Sequence, residues 1–303
     1  MGEDELHLSE ESILPYAYVN GTTLNYNISG EGMPIVFIHP PLLTSQTFAY
    51  QHERLCKEYQ VITFDIRGHG RSEATVRAFS YSLIVEDIRQ LLDFLGIERA
   101  FLCGYSTGGS IVLEALLNEP KRFLGGIVVS GMSELSDVYN KSLIWLASQM
   151  AGSRLFHKLL VKAITYGNAD KQATFQHLYE DSLMDADRTV SSYYRCSQTY
   201  NCTSRLGRIQ TPILLIYGEK DRRFTRYANL LHSGLPHSSL YFIKDAQHQI
   251  PTKEAERMNG LIHLWIESLD EPQTERLQLD LEIAKKLNPA LYVQSELENS
   301  TSL

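Results

Sequence analysis

The chain has 303 residues, 43% of them hydrophobic and 21% charged, with a formal net charge of −8 and a pI of about 5.7. That composition predicts a soluble globular protein, and its acidity argues against nucleic acid or an anionic membrane as the main partner. The four cysteines, Cys56, Cys103, Cys196 and Cys202, show no metal-ligand spacing and read as free thiols in a reducing compartment.

Residues 1–14 are acidic and aperiodic, and a loose arm is expected there. The first five residues are acidic where a secretory leader would be basic and then apolar, and no apolar run approaches the length of a membrane span. A cytoplasmic protein without stable membrane insertion is therefore expected. Two extended stretches, 16–19 and 23–28, flank Asn20-Gly21, a strong hairpin signal. Apolar runs at 35–39, 61–65, 100–103, 126–130, 213–217 and 240–243 then alternate with helical patterns at 44–57, 81–95, 109–118, 225–235 and 252–269. Continuous apolar runs are the mark of strands covered on both faces. The order predicts an α/β fold with a mostly parallel sheet and helices on both sides.

The alternation lapses between Met132 and Ile209. Four helical segments, at 139–150, 156–166, 173–184 and 189–200, replace it. An insertion after the strand at 126–130 would cover the carboxyl edge of the sheet, where open α/β sheets bind ligands. Of its large side chains (Trp145, Met150, Phe156, Tyr166, Phe175, Tyr193, Tyr194), about one in three is expected to face a substrate pocket and the rest to pack the cap itself. The expected organisation is an arm at 1–14, a core at 15–132 and 209–269, a helical cap at 133–208 and a charged tail at 270–303. Leu277, Leu279, Leu281, Ile283 and Leu287 give the tail a weak helical pattern. Packing on the body, contact between subunits and solvation all remain open for it.

The most informative segment is Gly104-Tyr105-Ser106-Thr107-Gly108, set between an apolar run and a helical pattern. G-x-S-x-G on a strand-to-helix turn lifts the serine hydroxyl clear of the sheet, and the crowded backbone calls for small neighbours at Gly104 and Gly108. A serine needs a base, and the base needs a group that fixes its tautomer. Asp221 follows the run at 213–217 and His248 follows the run at 240–243, so all three residues fall on one edge of the sheet, in the order Ser, Asp, His. Glu219 and Asp245 compete with Asp221 for the acid; Glu219 is better placed to cap or pair locally, and Asp245 is too near His248 in sequence to reach it from behind.

With Asp65-Ile66-Arg67-Gly68-His69-Gly70-Arg71-Ser72 after the strand at 61–65, these motifs resemble the α/β-hydrolase fold superfamily over roughly residues 16–269. The resemblance is to its capped microbial esterases, C–C hydrolases and haloperoxidase-like members. It implies an eight-stranded sheet, a helical cap, a Ser106–Asp221–His248 triad, and hydrolysis without metal or organic cofactor. It also implies that the 65–72 loop is structural, so neither Arg67 nor His69 is given a chemical role. The sequence departs from the family pattern at His39-Pro40-Pro41-Leu42, where Pro41 falls on the usual oxyanion donor and has no N–H. The expected donors are the backbone N–H groups of Leu42 and Thr107.

These features predict a serine carboxylesterase that cleaves a small or medium apolar ester through an acyl-enzyme. The same triad would serve C–C bond, lactone or amide hydrolysis. A ligand-binding signalling module on a hydrolase fold is the reading from a different class, and the tail leaves room for an oligomer.

Overall fold

The computed structural model describes residues 16–74, 77–185, 187–269 and 291–293. The expected arm at 1–14 and most of the expected tail lie outside the described residues. Asn20 and Gly21 both take positive φ and close a hairpin between β1 (Tyr16–Val19) and β2 (Thr22–Ser29). This is the left-handed turn that an Asn-Gly pair supplies at least steric cost.

The strands that follow are β3 (Pro34–Ile38), β4 (Gln60–Phe64), β5 (Ala100–Tyr105), β6 (Phe123–Val129), β7 (Ile213–Gly218), β8 (Ser238–Ile243) and β9 (Leu291–Val293). They form one sheet in the order β1-β2-β4-β3-β5-β6-β7-β8-β9. Pairing is parallel from β4 through β8 and antiparallel at β1/β2, β2/β4 and β8/β9. The eight expected strands are present. The ninth is three residues of the tail, antiparallel to β8; they follow the helical pattern at 277–287, which lies outside the described residues.

Side chains alternate across the sheet with period two. Val36 and Ile38 of β3 join one core, while Ile35 and Phe37 join the other. The first core is closed by α2 (Tyr81–Phe94), α3 (Thr107–Asn118) and α8 (Arg222–Gly234); the second by α1 (Ala49–Leu55) and α10 (Ala255–Ser268). Two expected helices are shorter than their patterns. The stretch at 44–57 divides into a 3-10 turn, Ser45–Phe48, and α1. The stretch at 252–269 divides into α9 (Ile250–Lys253), with Pro251 in its first turn, and α10 after a break at Glu254.

Between β6 and β7 the chain leaves the sheet and builds the cap from α4 (Val138–Ala151), α5 (Arg154–Asn168), α6 (Gln172–Ser182) and α7 (Asp187–Thr199). Asp137 caps α4 by accepting the Asn140 N–H at 2.8 Å. All four cysteines are free thiols, so no Cys196–Cys202 bridge joins the cap to its return segment.

The 65–72 loop fastens the core from inside. Arg67 is fully buried and pairs with Asp87 of α2, whose other partner is Asn20 Nδ2 at 2.6 Å. Asp65 accepts the backbone N–H groups of Ser45 (2.9 Å) and Arg71 (3.1 Å). His39 accepts the Ile66 N–H on Nε2 at 2.9 Å, which leaves its Nδ1 to donate to Pro40 O, also at 2.9 Å. Burial lowers the His39 pKa to about 4 and that of its neighbour His69 to about 3. Both are therefore held as neutral rings.

Candidate active site

Ser106 sits at the tip of the turn between β5 and α3, at φ +54° and ψ −119°. A non-glycine residue in that region is strained, and such strain is held where the surrounding fold over-determines it. The reason for the flanking glycines is direct. A Cβ on Gly104 would stand 2.3 Å from Gly108 O, and one on Gly108 would stand 2.2 Å from Ile38 O. The turn is tied to the sheet by the Ser106 N–H, which donates to Val129 O at 2.8 Å.

His248 lies in the loop between β8 and α9. Its Nε2 is 3.1 Å from Ser106 Oγ, and its Nδ1 is 2.7 Å from Asp221 Oδ2. Asp221 is the residue immediately before α8. Its loop is joined to the histidine loop by backbone bonds, Lys220 N–H to Ala246 O at 2.8 Å and Glu219 N–H to Ile243 O at 3.0 Å. The ring is wedged against Phe224, with centroids 4.3 Å apart, and Tyr105, at 5.5 Å. With the Nδ1–H tautomer donating to the carboxylate, the Nε2 lone pair would face the serine hydroxyl, a geometry that could accept its proton. The competing carboxylates are engaged elsewhere: Glu219 accepts the Asp245 N–H at 3.0 Å, and Asp245 pairs with Lys220 at 2.7 Å.

The loop after β3, expected to hold the oxyanion, is a tight turn closed by Leu43 N–H to Pro40 O at 3.3 Å. Pro41 takes its second position, and Leu42 its third, at φ +60°. That is the place in a type II turn where glycine is favoured. The Leu42 side chain is fully buried against the cap residues Ala151, Leu160, Val161, Val190 and Tyr194. Thr107 opens α3, where a first-turn N–H has no partner within the helix.

Above Ser106 is a cavity of about 360 Å³. The core supplies Pro40, Pro41, Leu43, Met132 and Phe224, and the cap supplies Leu143, Ile144, Met150, Leu160, Ile164 and Tyr194. Of the seven large cap side chains considered from sequence, Met150 and Tyr194 line it. Trp145, Phe156 and Tyr166 are exposed, and Tyr193 is buried against His69, Phe79 and Tyr81 with its hydroxyl donating to His39 O at 3.1 Å. Among the described residues no cluster of His, Cys, Asp and Glu is arranged to hold a metal.

Two residues at the site were not singled out by sequence, and a third was seen only as part of the elbow. Asn168 closes the cavity from the end of α5 and accepts a hydrogen bond from the Tyr105 hydroxyl. Ser130, at φ +48°, donates from Oγ to His248 O at 3.1 Å and so braces the histidine loop. Tyr105 was legible as part of the elbow, but its contact with the cap had no local signal.

A family model described as serine aminopeptidase, S33, matches residues 35–256. The chain belongs to this family of the α/β-hydrolase superfamily. Across that superfamily it is 23% identical over 266 residues to the AB hydrolase superfamily protein YisY of Bacillus subtilis, covering 77% of this chain and 91% of that protein. Its fold is similar to that of an esterase from Exiguobacterium antarcticum, with a TM-score of 0.76 and 21% identity over 84% of this chain and 99% of that one. It is also similar to an enol-lactonase from Burkholderia xenovorans LB400, with a TM-score of 0.72 and 20% identity over 85% of this chain and all of that one.

Proposed function

We propose that this α/β-hydrolase is a serine carboxylesterase acting on small or medium apolar esters, with Ser106, Asp221 and His248 as its triad. The observation that carries the reading is the relay itself: Ser106 Oγ at 3.1 Å from His248 Nε2, whose Nδ1 is 2.7 Å from Asp221, at the floor of an apolar cavity.

In this mechanism Ser106 Oγ attacks the ester carbonyl carbon while His248 Nε2 takes the hydroxyl proton. Asp221 holds the ring in its Nδ1–H tautomer and stabilises the imidazolium. The carbonyl oxygen becomes an oxyanion and is met by the backbone N–H groups of Thr107 and Leu42. His248 then returns the proton to the departing alcohol, leaving an acyl-serine. Water, deprotonated by His248, attacks that acyl group and restores the free hydroxyl. The cap walls contribute mainly apolar surface, with Tyr194, Asn140 and Asn168 as their polar members and no charged side chain, so they favour an uncharged acyl or alkyl group.

The test is labelling with a fluorophosphonate, together with kcat/KM across p-nitrophenyl esters of increasing acyl length. Labelling of wild type, loss of both label and turnover in Ser106→Ala, and a preference for acyl chains of about two to eight carbons are expected. Turnover that persists in pure Ser106→Ala would end the assignment. Preference for long-chain emulsified triglyceride with activation at an oil–water interface would replace a fixed-roof esterase by a lipase with an opening lid.

A further inference from the structure

The cap carries an outward face that its own packing does not explain. On α5, Leu155, Leu159 and Tyr166 fall in one stripe, because residues four and seven apart return to the same side of a helix. They are 79%, 59% and 72% exposed. On α4, which packs against α5, Trp145 and Leu146 are about half exposed as well. Apolar exposure on this scale in a water-soluble monomer marks an interaction surface.

The charge of this segment has one sign. From Val138 to Asn168 the chain contains Lys141, Arg154, Lys158 and Lys162 and no Asp or Glu, although acidic residues outnumber basic ones 36 to 28 over the whole sequence. Lys141, Lys158 and Lys162 are exposed. At the start of α4 the Arg223 guanidinium lies 3.8 Å from the centre of the Tyr139 ring and adds a further cation beside the segment. The cavity is continuous with this face, since Leu143 and Leu146 line it and are also about half exposed.

We propose that the outer face of α4 and α5 docks this protein, cap first, on an anionic lipid bilayer. The apolar side chains enter the boundary between headgroups and acyl chains, while the lysines extend to the lipid phosphates. A second copy of the chain fits this face less well, because a symmetric cap-to-cap contact would set one segment with only basic charges against another. The net charge of −8 does not prevent docking, since charges more than about 8 Å apart are largely screened at physiological salt. Docking is peripheral: no helix among the described residues is long and apolar enough to cross a membrane. The inference rests on exposure and charge and does not depend on the esterase reading.

The experiment uses the full chain with sedimented vesicles of phosphatidylcholine alone or with 30% phosphatidylglycerol. Tryptophan emission gives a second readout, because the sequence has two tryptophans and Trp265 is 3% exposed, so a change on binding reports Trp145. Binding to anionic vesicles, weakened by salt and accompanied by a blue shift, is expected. Lys158→Gln with Lys162→Gln should weaken that binding roughly 30-fold. Leu155→Ser with Leu159→Ser should abolish the blue shift. All of these variants should keep the wild-type melting temperature and their hydrolysis of a water-soluble ester, which separates failure of docking from failure of catalysis. No binding to either vesicle, or equal binding to both, would overturn the proposal. So would a concentration-dependent dimer that the leucine variants dissolve while vesicles have no effect.

Discussion

The Tyr105 hydroxyl donates a 3.0 Å hydrogen bond to Asn168 Oδ1, joining the residue before Ser106 to the last residue of cap helix α5. Both groups are buried, and both line the cavity. Asn168 is also held from the core side, because Thr252 Oγ1 donates to its carbonyl. The cap is thus fastened to the strand that carries Ser106 at the depth of the pocket floor.

Tyr105→Phe removes that donor and leaves Asn168 Oδ1 buried without it. Stability should fall by about 1–2 kcal/mol, read by thermal or urea unfolding. KM for the longer acyl esters should change more than kcat for acetate, because the bond positions the cap and takes no part in proton transfer. A uniform loss of kcat across the series would show instead that Tyr105 acts on the His248 ring.

Asp221→Asn should lower kcat/KM by roughly 10³–10⁴-fold, because an amide no longer fixes the Nδ1–H tautomer of His248. Glu219→Gln should cost much less, since Glu219 accepts a loop N–H while the carboxylate on His248 Nδ1 is that of Asp221. Parallel kinetics on the two variants check the choice of acid; a larger loss for Glu219→Gln would reverse it.

Arg67 and Asp87 form a pair buried in the core. Arg67→Ala would leave a carboxylate buried beside Asn20 with its main partner gone, and should cost about 3–5 kcal/mol. Replacing both, as Arg67→Met with Asp87→Leu, should recover most of that loss in denaturant unfolding. An Arg67→Ala protein as stable as wild type would show that the loop does not depend on the pair.

His39 and His69 are kept neutral by burial, with pKa values of about 4 and about 3 against 6.5 for a free ring. Between about pH 6.5 and pH 4 the unfolded chain therefore binds protons at these rings that the folded chain does not. Their contribution is fully present above about pH 6.5 and is lost as the pH falls, by up to about 1.4 kcal/mol per pH unit for each ring. The loss levels off below the folded values. Stability of wild type and His69→Gln, measured from pH 7 to pH 4.5, should show a shallower acid slope in the variant. Equal slopes would mean that His69 is accessible to protons in the folded state.

Local chemistry made much of this protein legible before its fold was known. The strands with apolar residues at every position could only be covered on both faces, and Asn20-Gly21 could only be a left-handed turn. The steric demand of the elbow explains Gly104 and Gly108 one turn apart, and the loop positions of Ser106, Asp221 and His248 follow from the order of strands. Each of these signals lies within a few residues of sequence, because it arises from backbone sterics or from period-two burial. The tertiary structure decided the rest. Tyr105 meets Asn168 across 63 residues, and Ser130 braces His248 across 118. Met150 and Tyr194 face the cavity while Trp145 and Tyr166 face outward, although the cap sequence marks all four as large side chains on helices. These outcomes depend on how helices from distant parts of the chain pack over the sheet, and no local pattern carries that geometry.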